Sequence, residues 1–359
     1  MLTIYDPIPD DPLGKARGGG RAVKILRESL GENARFVSDL HHVAPDDTLL
    51  IPVWQPFHRP YLFKKIAARQ ILMIFDVIPL KYPEHFPIGL KGRWWMMHNL
   101  RTLSLYDRIV TISEISKRDI VDYLNIDPHC IDVVYLTTSK ALYRASKATS
   151  RKTLQEKFDI PTKPYFTYVG DMNWNKNLVN MAQAAIKAQA YLVCIGKTFS
   201  VVNDLRAMDL EEQHEYLATS GDINHFEQKE FKDFVKLVLH DDRFIFPGYV
   251  PDEELRSLYA QALCNVLISR DEGFGLSYLE SARQHCPSIL ADIPVFHEIA
   301  ASAAYFVDSE QPDAIANAMS DILKKPRSYI AMKEKAFGRS KKFAPQTFTK
   351  NIMQALTSA

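Results

Sequence analysis

The sequence predicts an α/β protein that consists of two doubly wound domains. Short β-branched and aromatic runs alternate with helical patterns, and this alternation starts again after a polar stretch in the middle of the chain. Strands separated by helices form parallel sheets with helices on both faces. The chain has 359 residues, which is about twice the length of a usual domain. Because open α/β sheets bind ligands beyond the carboxyl ends of their strands, we expect both domains to face a central cleft.

The first domain is predicted to span residues 1–150 and to contain one complete sheet. Helical patterns occur at Ala22–Ser29 and Ser116–Leu124. The six predicted strands are Met1–Asp6, Arg35–Leu40, Thr48–Val53, Gln70–Ile78, Arg108–Ser113 and Ile131–Leu136.

The second domain is predicted to span residues 151–340, after a polar linker within Ser139–Lys163. Lys197–Arg243 is predicted to be a helical insertion whose charges are solvated. We expect residues 341–359 to form a helix that packs back on the first domain. The predicted strands are Tyr165–Gly170, Tyr191–Gly196, Phe244–Val250, Cys264–Ser269, Ser288–Asp292 and Ala304–Asp308, and the helices between them include Leu178–Ala188 and Asp252–Ala262.

The composition excludes several classes of protein. The content of 47% hydrophobic and 24% charged residues excludes a disordered chain, and a formal net charge of +1 is too balanced for a protein that coats nucleic acid. The four cysteines fit no zinc spacing, which predicts buried thiols in a reducing compartment. The sequence has neither a secretory signal pattern nor 18 consecutive apolar residues, so we expect a cytoplasmic protein that does not span the membrane.

The stretch RDEGFGLSYLE (270–280) follows a predicted strand and indicates a glycine turn followed by a helix. Gly273 and Gly275 let a ligand approach the backbone, and the helix that opens near Leu276 would direct free N–H groups at a phosphate. Glu280 could accept hydrogen bonds from a vicinal diol such as ribose, while Glu272 lies nearer the transferred group. The alternative is a capped helix with two solvated glutamates.

The segment EGFGLSYLESARQHCPSILADIPVFHEIA (272–300) closely resembles the donor-binding segment of glycosyltransferase family 4. The resemblance extends back through Phe246–Leu255 and through Tyr168–Gly170 to Lys176–Asn177, and it covers most of the second half of the chain. It implies a GT-B fold and a retaining enzyme that uses a nucleotide sugar. It also implies that Phe274 belongs to the donor-binding turn and that Glu298 ties loops around the donor.

A cation is expected to stabilise the departing diphosphate. Lys176, which follows the strand-end glycine Gly170, is the first candidate. The family commonly has an arginine beside that glycine, where this chain has Asp171, so a second cation must come from elsewhere. A triple glycine near the start of the chain resembles the family's N-terminal glycine loop, although a flexible turn is the alternative. The residues concerned are Gly18, Gly19 and Gly20, with the basic neighbours Lys15, Arg17 and Arg21.

In the first half, Asp76 ends a predicted strand within IFDVIPLKYPE (74–84), a segment that resembles the family segment whose acid faces the cleft. Phe75 takes the place of the histidine that usually precedes this acid, so we expect Asp76 either to orient a sugar or to cap a turn. Ser113 is expected to cap the next helix. His58 and His98 are left out of the catalytic set, because a lone histidine among aromatic residues is more often structural. The predicted catalytic residues are Glu272, Lys176 and Asp76.

The resemblance implies retention of anomeric configuration, with the acceptor hydroxyl attacking from the leaving-group face while the β-phosphate takes its proton. No Asp-x-Asp sequence occurs, as expected for a GT-B enzyme that uses side-chain and backbone positive charge in place of a metal ion. We expect no obligatory metal ion and no cofactor besides the donor substrate.

The acceptor side carries a basic, aromatic segment. Residues 59–118 contain 11 basic and 4 acidic side chains. Within them KGRWWMM (91–97) would suit an anionic membrane or a lipid-linked acceptor. We favour the alternative that Trp94, Trp95, Met96 and Met97 form core or cleft wall.

The predicted function is transfer of a hexose from a nucleotide diphosphate sugar to a hydroxyl of a glycan or lipid-linked glycan, in bacterial surface polysaccharide synthesis. GDP-mannose is the preferred donor because residues 76–80, DVIPL, resemble bacterial mannosyltransferases of the family. UDP- and dTDP-sugars remain open. The rivals are another GT-B activity such as an epimerase, and a non-enzymatic sugar- or partner-binding protein, against which the intact Lys176, Glu272 and Glu280 argue.

Overall fold

The computed structural model describes residues 1–7, 18–143, 149–220, 229–324 and 326–358, with only the backbone described at 18, 19 and 326–328. Within these ranges the chain forms two six-stranded parallel sheets, which confirms the predicted α/β class. The chain divides into two compact units, Met1–Lys140 with Phe343–Ala359, and Ala141–Lys342.

Strands occur at all the predicted positions, and all twelve are shorter than predicted because the last residues of each run leave the sheet. Gln70–Ile78 is the largest difference: the strand ends at Met73, and Ile78 already begins a helix. The strands are β1 (Leu2–Tyr5), β2 (Arg35–Val37), β3 (Thr48–Ile51), β4 (Arg69–Met73), β5 (Arg108–Thr111), β6 (Ile131–Val133), β7 (Tyr165–Val169), β8 (Tyr191–Ile195), β9 (Phe244–Gly248), β10 (Cys264–Leu267), β11 (Ser288–Ala291) and β12 (Tyr305–Val307).

The helices connect the strands and lie between them in the chain, as the alternating pattern predicts. In the part of the chain that the structure describes they are α1 (Gly18–Leu30), α2 (Ile78–Lys81), α3 (Leu90–Thr102), α4 (Glu114–Leu124), α5 (Lys140–Tyr143), α6 (Arg151–Phe158), α7 (Leu178–Lys187), α8 (Ser200–Ala207), α9 (Leu210–Thr219), α10 (Lys229–Val238), α11 (Asp252–Gln261), α12 (Leu276–Arg283), α13 (Pro294–Ala300), α14 (Pro312–Lys324), α15 (Pro326–Ser340) and α16 (Pro345–Thr357).

The sheet of the first unit has the strand order β2-β1-β3-β4-β5-β6. Apolar side chains of its central strands, such as Leu49, Leu72 and Ile109, are buried in one cluster. Helix α16 belongs to this unit and contacts α1 and β3. Its buried residues follow helical spacing and form one apolar face: Phe348, Ile352, Ala355 and Leu356.

The sheet of the second unit has the order β12-β11-β10-β7-β8-β9. Strands β7 and β10 are neighbours in this sheet, but β8 follows β7 on one side and β11 follows β10 on the other. The connections that leave these two strands therefore run in opposite directions. Such a switch point leaves a crevice beyond the carboxyl ends of the two strands, where open α/β sheets bind ligands.

The predicted linker is largely helical. Leu142 of α5 and Leu154 and Phe158 of α6 are buried in the core of the second unit, so the division between the units falls after Lys140 rather than at the predicted residue 150. Residues 144–148 lie outside the described part.

The predicted insertion contains three helices, α8, α9 and α10, in its described residues, and residues 221–228 lie outside them. Helix α10 buries Phe231 and Phe234 on one face. The Phe234 ring lies 5.9 Å from that of Phe199 and 6.5 Å from that of Phe244, measured between centroids. The insertion therefore shares the core of the second unit.

Three of the four cysteines, Cys194, Cys264 and Cys286, are buried as predicted, whereas Cys130 is half-buried. Burial raises the pKa of all three buried thiols, which keeps them protonated and unreactive.

Candidate functional site

The carboxyl ends of β7 and β10 bring two predicted catalytic residues together. Lys176 Nζ lies 2.6 Å from Glu272 Oε1, although the two residues are far apart in the chain. Their side chains are 18% and 12% exposed, so solvent screens the pair only in part. The pair lies at the point where the chain order of the second sheet reverses.

The loop after β7 is fixed by a buried tyrosine. The Tyr168 hydroxyl donates to the carbonyl oxygen of Asp171 at 2.7 Å. A Cβ at Gly170 would come within 2.6 Å of the Tyr168 hydroxyl oxygen, so any other residue would displace that hydroxyl group. Burial raises the pKa of Tyr168 well above its ordinary value, and the charges of Asp171 and Glu272 add to this. The hydroxyl therefore stays a donor and holds the loop that leads to Lys176.

Glu272 is held by neighbours on its own loop as well as by Lys176. The Ser269 hydroxyl donates to Glu272 Oε1 at 2.8 Å, and the Glu272 backbone N–H donates to Asp271 Oδ1 at 2.8 Å. Both side-chain contacts use Oε1, and within the described residues no hydrogen bond involves Oε2. The carboxylate is thus oriented beside an ammonium group, rather than being solvated.

Helix α12 begins directly after the glycine turn. Gly275 has a φ of 89°, and a Cβ there would lie 2.7 Å from Cε1 of Phe296, so both backbone conformation and space require glycine. Phe274 and Glu280 are buried, the latter 2% exposed. Neither glutamate is solvated, so the alternative of a capped helix with two solvated glutamates is wrong.

Sequence reasoning passed over Arg270, which the structure places at the centre of the loops around the site. Its guanidinium donates to the carbonyl oxygen of Trp174 at 2.6 Å and lies 4.9 Å from the centroid of the Trp174 ring. It also contacts carboxylate oxygens of Glu230 at 2.7 Å and of Glu310 at 2.9 Å. Glu230 precedes Arg270 by 40 residues, and no spacing rule connects them.

Glu298 lies in α13 and is half-buried. Arg339 donates to the carbonyl oxygens of Glu298 and Ile299, both at 2.7 Å, which ties α13 to α15. Beside it, His297 Nε2 lies 2.5 Å from Asp292 Oδ1. The backbone of Glu298 thus has a structural contact within the second unit.

Asp76 belongs to the first unit. Its Oδ1 accepts a hydrogen bond from the backbone N–H of Ile78 at 3.2 Å, as a turn cap does. Nearby, Lys81 pairs with Asp119 at 2.8 Å and ties α2 to α4. Ser113 accepts from the N–H of Ser116 and caps α4, as predicted.

The triple glycine does not form a turn ahead of a helix. Gly18, Gly19 and Gly20 are the first residues of α1, and Arg21 follows them in that helix. Lys15 and Arg17 lie outside the described residues. The predicted glycine loop and its flexible-turn alternative are therefore both wrong for these three residues, which start the helix that follows β1.

No group of three or more histidine, cysteine, aspartate or glutamate side chains could hold a metal ion among the residues that the structure describes. In the same ranges, no helix combines the length and the apolar content that are needed to cross a bilayer.

The family model for glycosyl transferases group 1 matches residues 150–339, which is more than half of the chain. The chain belongs to this family. The matched segment contains Lys176, Arg270, Glu272 and Glu280, and so it covers the described site of the second unit.

Several curated proteins that are similar to this chain have names that refer to O-antigen synthesis. The O-antigen chain mannosyltransferase RfbU of Salmonella typhimurium is 23% identical over 261 residues, which is 73% of this chain and 63% of RfbU. The O-antigen chain mannosyltransferase B of Escherichia coli is 24% identical over 72% of this chain and 62% of its own length. The chain therefore spans less than two thirds of the length of these relatives.

Solved structures of glycosyl transferases share the fold. HepE of Anabaena, described in complex with UDP-glucose, superposes with a TM-score of 0.68 at 14% identity over 100% of this chain and 99% of HepE. The trehalose-phosphate synthase of Burkholderia xenovorans gives a TM-score of 0.60 at 12% identity over 93% of this chain and 77% of its own. These likenesses confirm the predicted GT-B fold class.

Proposed function

We propose that the chain is a retaining glycosyltransferase that moves a hexose from a nucleotide diphosphate sugar to a hydroxyl of a glycan or lipid-linked glycan. The observation that carries the proposal is the Lys176–Glu272 pair next to the start of α12, at the switch point of the second sheet. Family membership agrees with this chemistry.

The reaction requires positive charge where the leaving group departs. When the anomeric C–O bond breaks, negative charge develops on the diphosphate oxygen. The Lys176 ammonium group has three N–H donors and can contact a phosphate oxygen while it stays paired with Glu272. The N–H groups in the first turn of α12 add partial positive charge. We propose that these groups suffice without an obligatory metal ion.

The roles of the acids follow from their positions. Glu272 beside Lys176 would contact the transferred sugar, and Glu280 would accept hydrogen bonds from the ribose. Asp76, which belongs to the first unit, would orient a sugar. It would not act as a base, because its Oδ1 caps the turn before α2. The proton of the acceptor hydroxyl passes to a β-phosphate oxygen, so the products are a glycoside and a nucleoside diphosphate.

GDP-mannose is the donor that we propose, and bacterial surface polysaccharide is the proposed setting. The names of the relatives support mannose as the sugar and surface polysaccharide as the setting, since RfbU and its Escherichia coli counterpart are named O-antigen chain mannosyltransferases. In addition, the serotype-specific mannosyltransferase WbdA of Escherichia coli is 42% identical over 74 residues, which is 21% of this chain and 9% of WbdA.

We further propose that the protein works in the cytoplasm, with α3 of the first unit against an anionic membrane surface. One face of α3 exposes large apolar side chains, and the helix has three basic residues and no acidic one, as in helices that lie on membranes. The exposure of Trp94 and Met97 shows that these two residues are not core, whereas the expectation that they line a cleft stays a prediction. The exposed apolar residues are Leu90, Trp94, Met97 and Leu100.

The proposal is tested by incubating the protein with GDP-mannose, UDP-glucose or dTDP-glucose and a lipid-linked glycan acceptor, and by assigning the product anomer by NMR. Transfer with retained configuration supports the proposal. Conversion of the free nucleotide sugar without acceptor would favour an epimerase, and binding of a nucleotide sugar with no turnover would favour a binding protein. Either result contradicts the proposal.

The membrane contact is tested separately by vesicle flotation. The protein is expected to float with vesicles that contain anionic lipid and not with neutral ones, and the double variant Arg93→Glu, Trp94→Ser is expected to stay unbound. Equal flotation of the variant would contradict the assignment to α3.

A further inference from the structure

We infer that Arg270 is a positioning residue of the donor site and that the insertion supplies the carboxylate that holds it. The inference rests on the proposed function, because the residues that Arg270 positions are Lys176 and Glu272. Among the described residues, all of the partners of Arg270 lie in the second unit.

Arg270 joins the two loops whose side chains form the site. Its backbone N–H donates to the carbonyl oxygen of Asn175 at 2.7 Å, and its guanidinium donates to that of Trp174 at 2.6 Å. Glu272 lies two residues after Arg270, and Lys176 directly follows Asn175. A displacement of Arg270 would therefore move both members of the ion pair.

Glu230 fixes the guanidinium from the other side. Both of its oxygens accept from Arg270 Nη1, at 2.7 and 3.0 Å, and the backbone N–H of Val179 in α7 also donates to the carboxylate. Glu230 is the second residue of α10, whose Phe231 and Phe234 are buried in the core. Helix α10 is thus anchored, and Glu230 transmits that anchoring to the site loops.

Burial of Glu230 opposes its ionised form, whereas the contacts with Arg270 favour it. Burial raises the pKa of the Glu230 carboxyl, although Arg270 acts in the opposite direction. An acid whose pKa is higher in the folded than in the unfolded state adds stability only when protonated, and that stability is lost as pH rises through the folded-state pKa. A buried ion pair of this kind is weak evidence for stability, because the loss of hydration offsets the attraction between the charges. We therefore assign the Glu230–Arg270 contact a positioning role: it holds the Arg270 guanidinium in place beside the site loops.

Three variants test the inference. Glu230→Gln keeps the shape and removes the charge, and Arg270→Met removes all guanidinium contacts. The control is Asp241→Asn. Asp241 pairs with Arg243 at similar burial, but it precedes β9 and so lies at the amino ends of the strands, whereas the site lies at their carboxyl ends. We expect kcat/KM for transfer to fall roughly tenfold in Glu230→Gln, more in Arg270→Met, and less than twofold in the control.

Hydrogen–deuterium exchange gives a readout that needs no turnover. Amides of residues 172–178 and 270–275 should exchange faster in Glu230→Gln than in wild type, with no change there in Asp241→Asn. Unchanged exchange in these two segments, or a kcat/KM in Glu230→Gln equal to that of the control, would overturn the inference. If wild type transfers no sugar, the proposed function fails by itself, and exchange alone then decides on the role of Arg270.

Discussion

At the residue scale, Lys176 carries the positive charge on which the proposed chemistry depends. We expect Lys176→Met to lower kcat about 100-fold, with a smaller change in KM, because the charge is needed most where the diphosphate departs. Steady-state transfer rates measure this. The matched control is Lys187→Met, since Lys187 lies at the end of α7 in an exposed ion pair with Asp313. Equal rates in the two variants would remove Lys176 from the site.

The two glutamates near the glycine turn should differ in effect. Glu272 contacts Lys176, so Glu272→Gln is expected to reduce turnover while nucleotide binding changes little. Glu280 is buried in α12, and Glu280→Gln is expected to weaken GDP binding about tenfold through the lost charged hydrogen bonds to ribose. Isothermal titration and transfer rates separate the two effects. Loss of the same function to the same degree in both variants would contradict the roles assigned here.

Sequence reasoning reached these residues because their chemistry is local. A lysine after a strand-end glycine and an acid before a glycine turn can be recognised without coordinates. Arg270 could not be recognised in this way, because its partner Glu230 lies on an insertion helix and the contact depends on how α10 packs. The expectation of solvated charges in the insertion fails at Glu230 for the same reason.

At the element scale, the start of α12 depends on Gly275. Gly275→Ala should lower the free energy of unfolding by about 2 kcal/mol, because a residue with a side chain is strained at positive φ and its Cβ would meet Phe296. Urea unfolding measures the change. Gly338→Ala is the control: Gly338 lies in α15 with open space around it, and the substitution should raise stability by about 0.5 to 1 kcal/mol. If Gly275→Ala left the free energy of unfolding unchanged or raised it, as Gly338→Ala is expected to do, the requirement for glycine would be refuted.

Strand positions could be predicted because β-branched runs bounded by turn residues have few alternatives. Their ends could not, since hydrogen bonds outside the sheet decide them. At β4 the chain leaves the sheet after Met73, and Asp76 then caps the turn that begins α2. At α1 the three glycines join the helix, against their low helix propensity.

At the scale of the whole molecule, two sheets of similar design occupy the two units. The division after Lys140 depends on Leu142, which the sequence places in a polar stretch and the structure places in the second core. The end of the chain belongs to the first unit: Thr137 Oγ1 donates to the carbonyl oxygen of Phe343 at 2.8 Å, and α16 contacts α1. Such contacts join residues more than 200 positions apart, and helical periodicity alone cannot assign them.

We propose above that a nucleoside diphosphate group binds at the switch point of the second sheet. Hydrogen–deuterium exchange with millimolar GDP, UDP or dTDP tests it most directly, because bound ligand protects the amides that it orders. We expect one of the three nucleotides to protect residues 170–178 and 272–280. Protection by none of them, or protection confined to other segments, would contradict it.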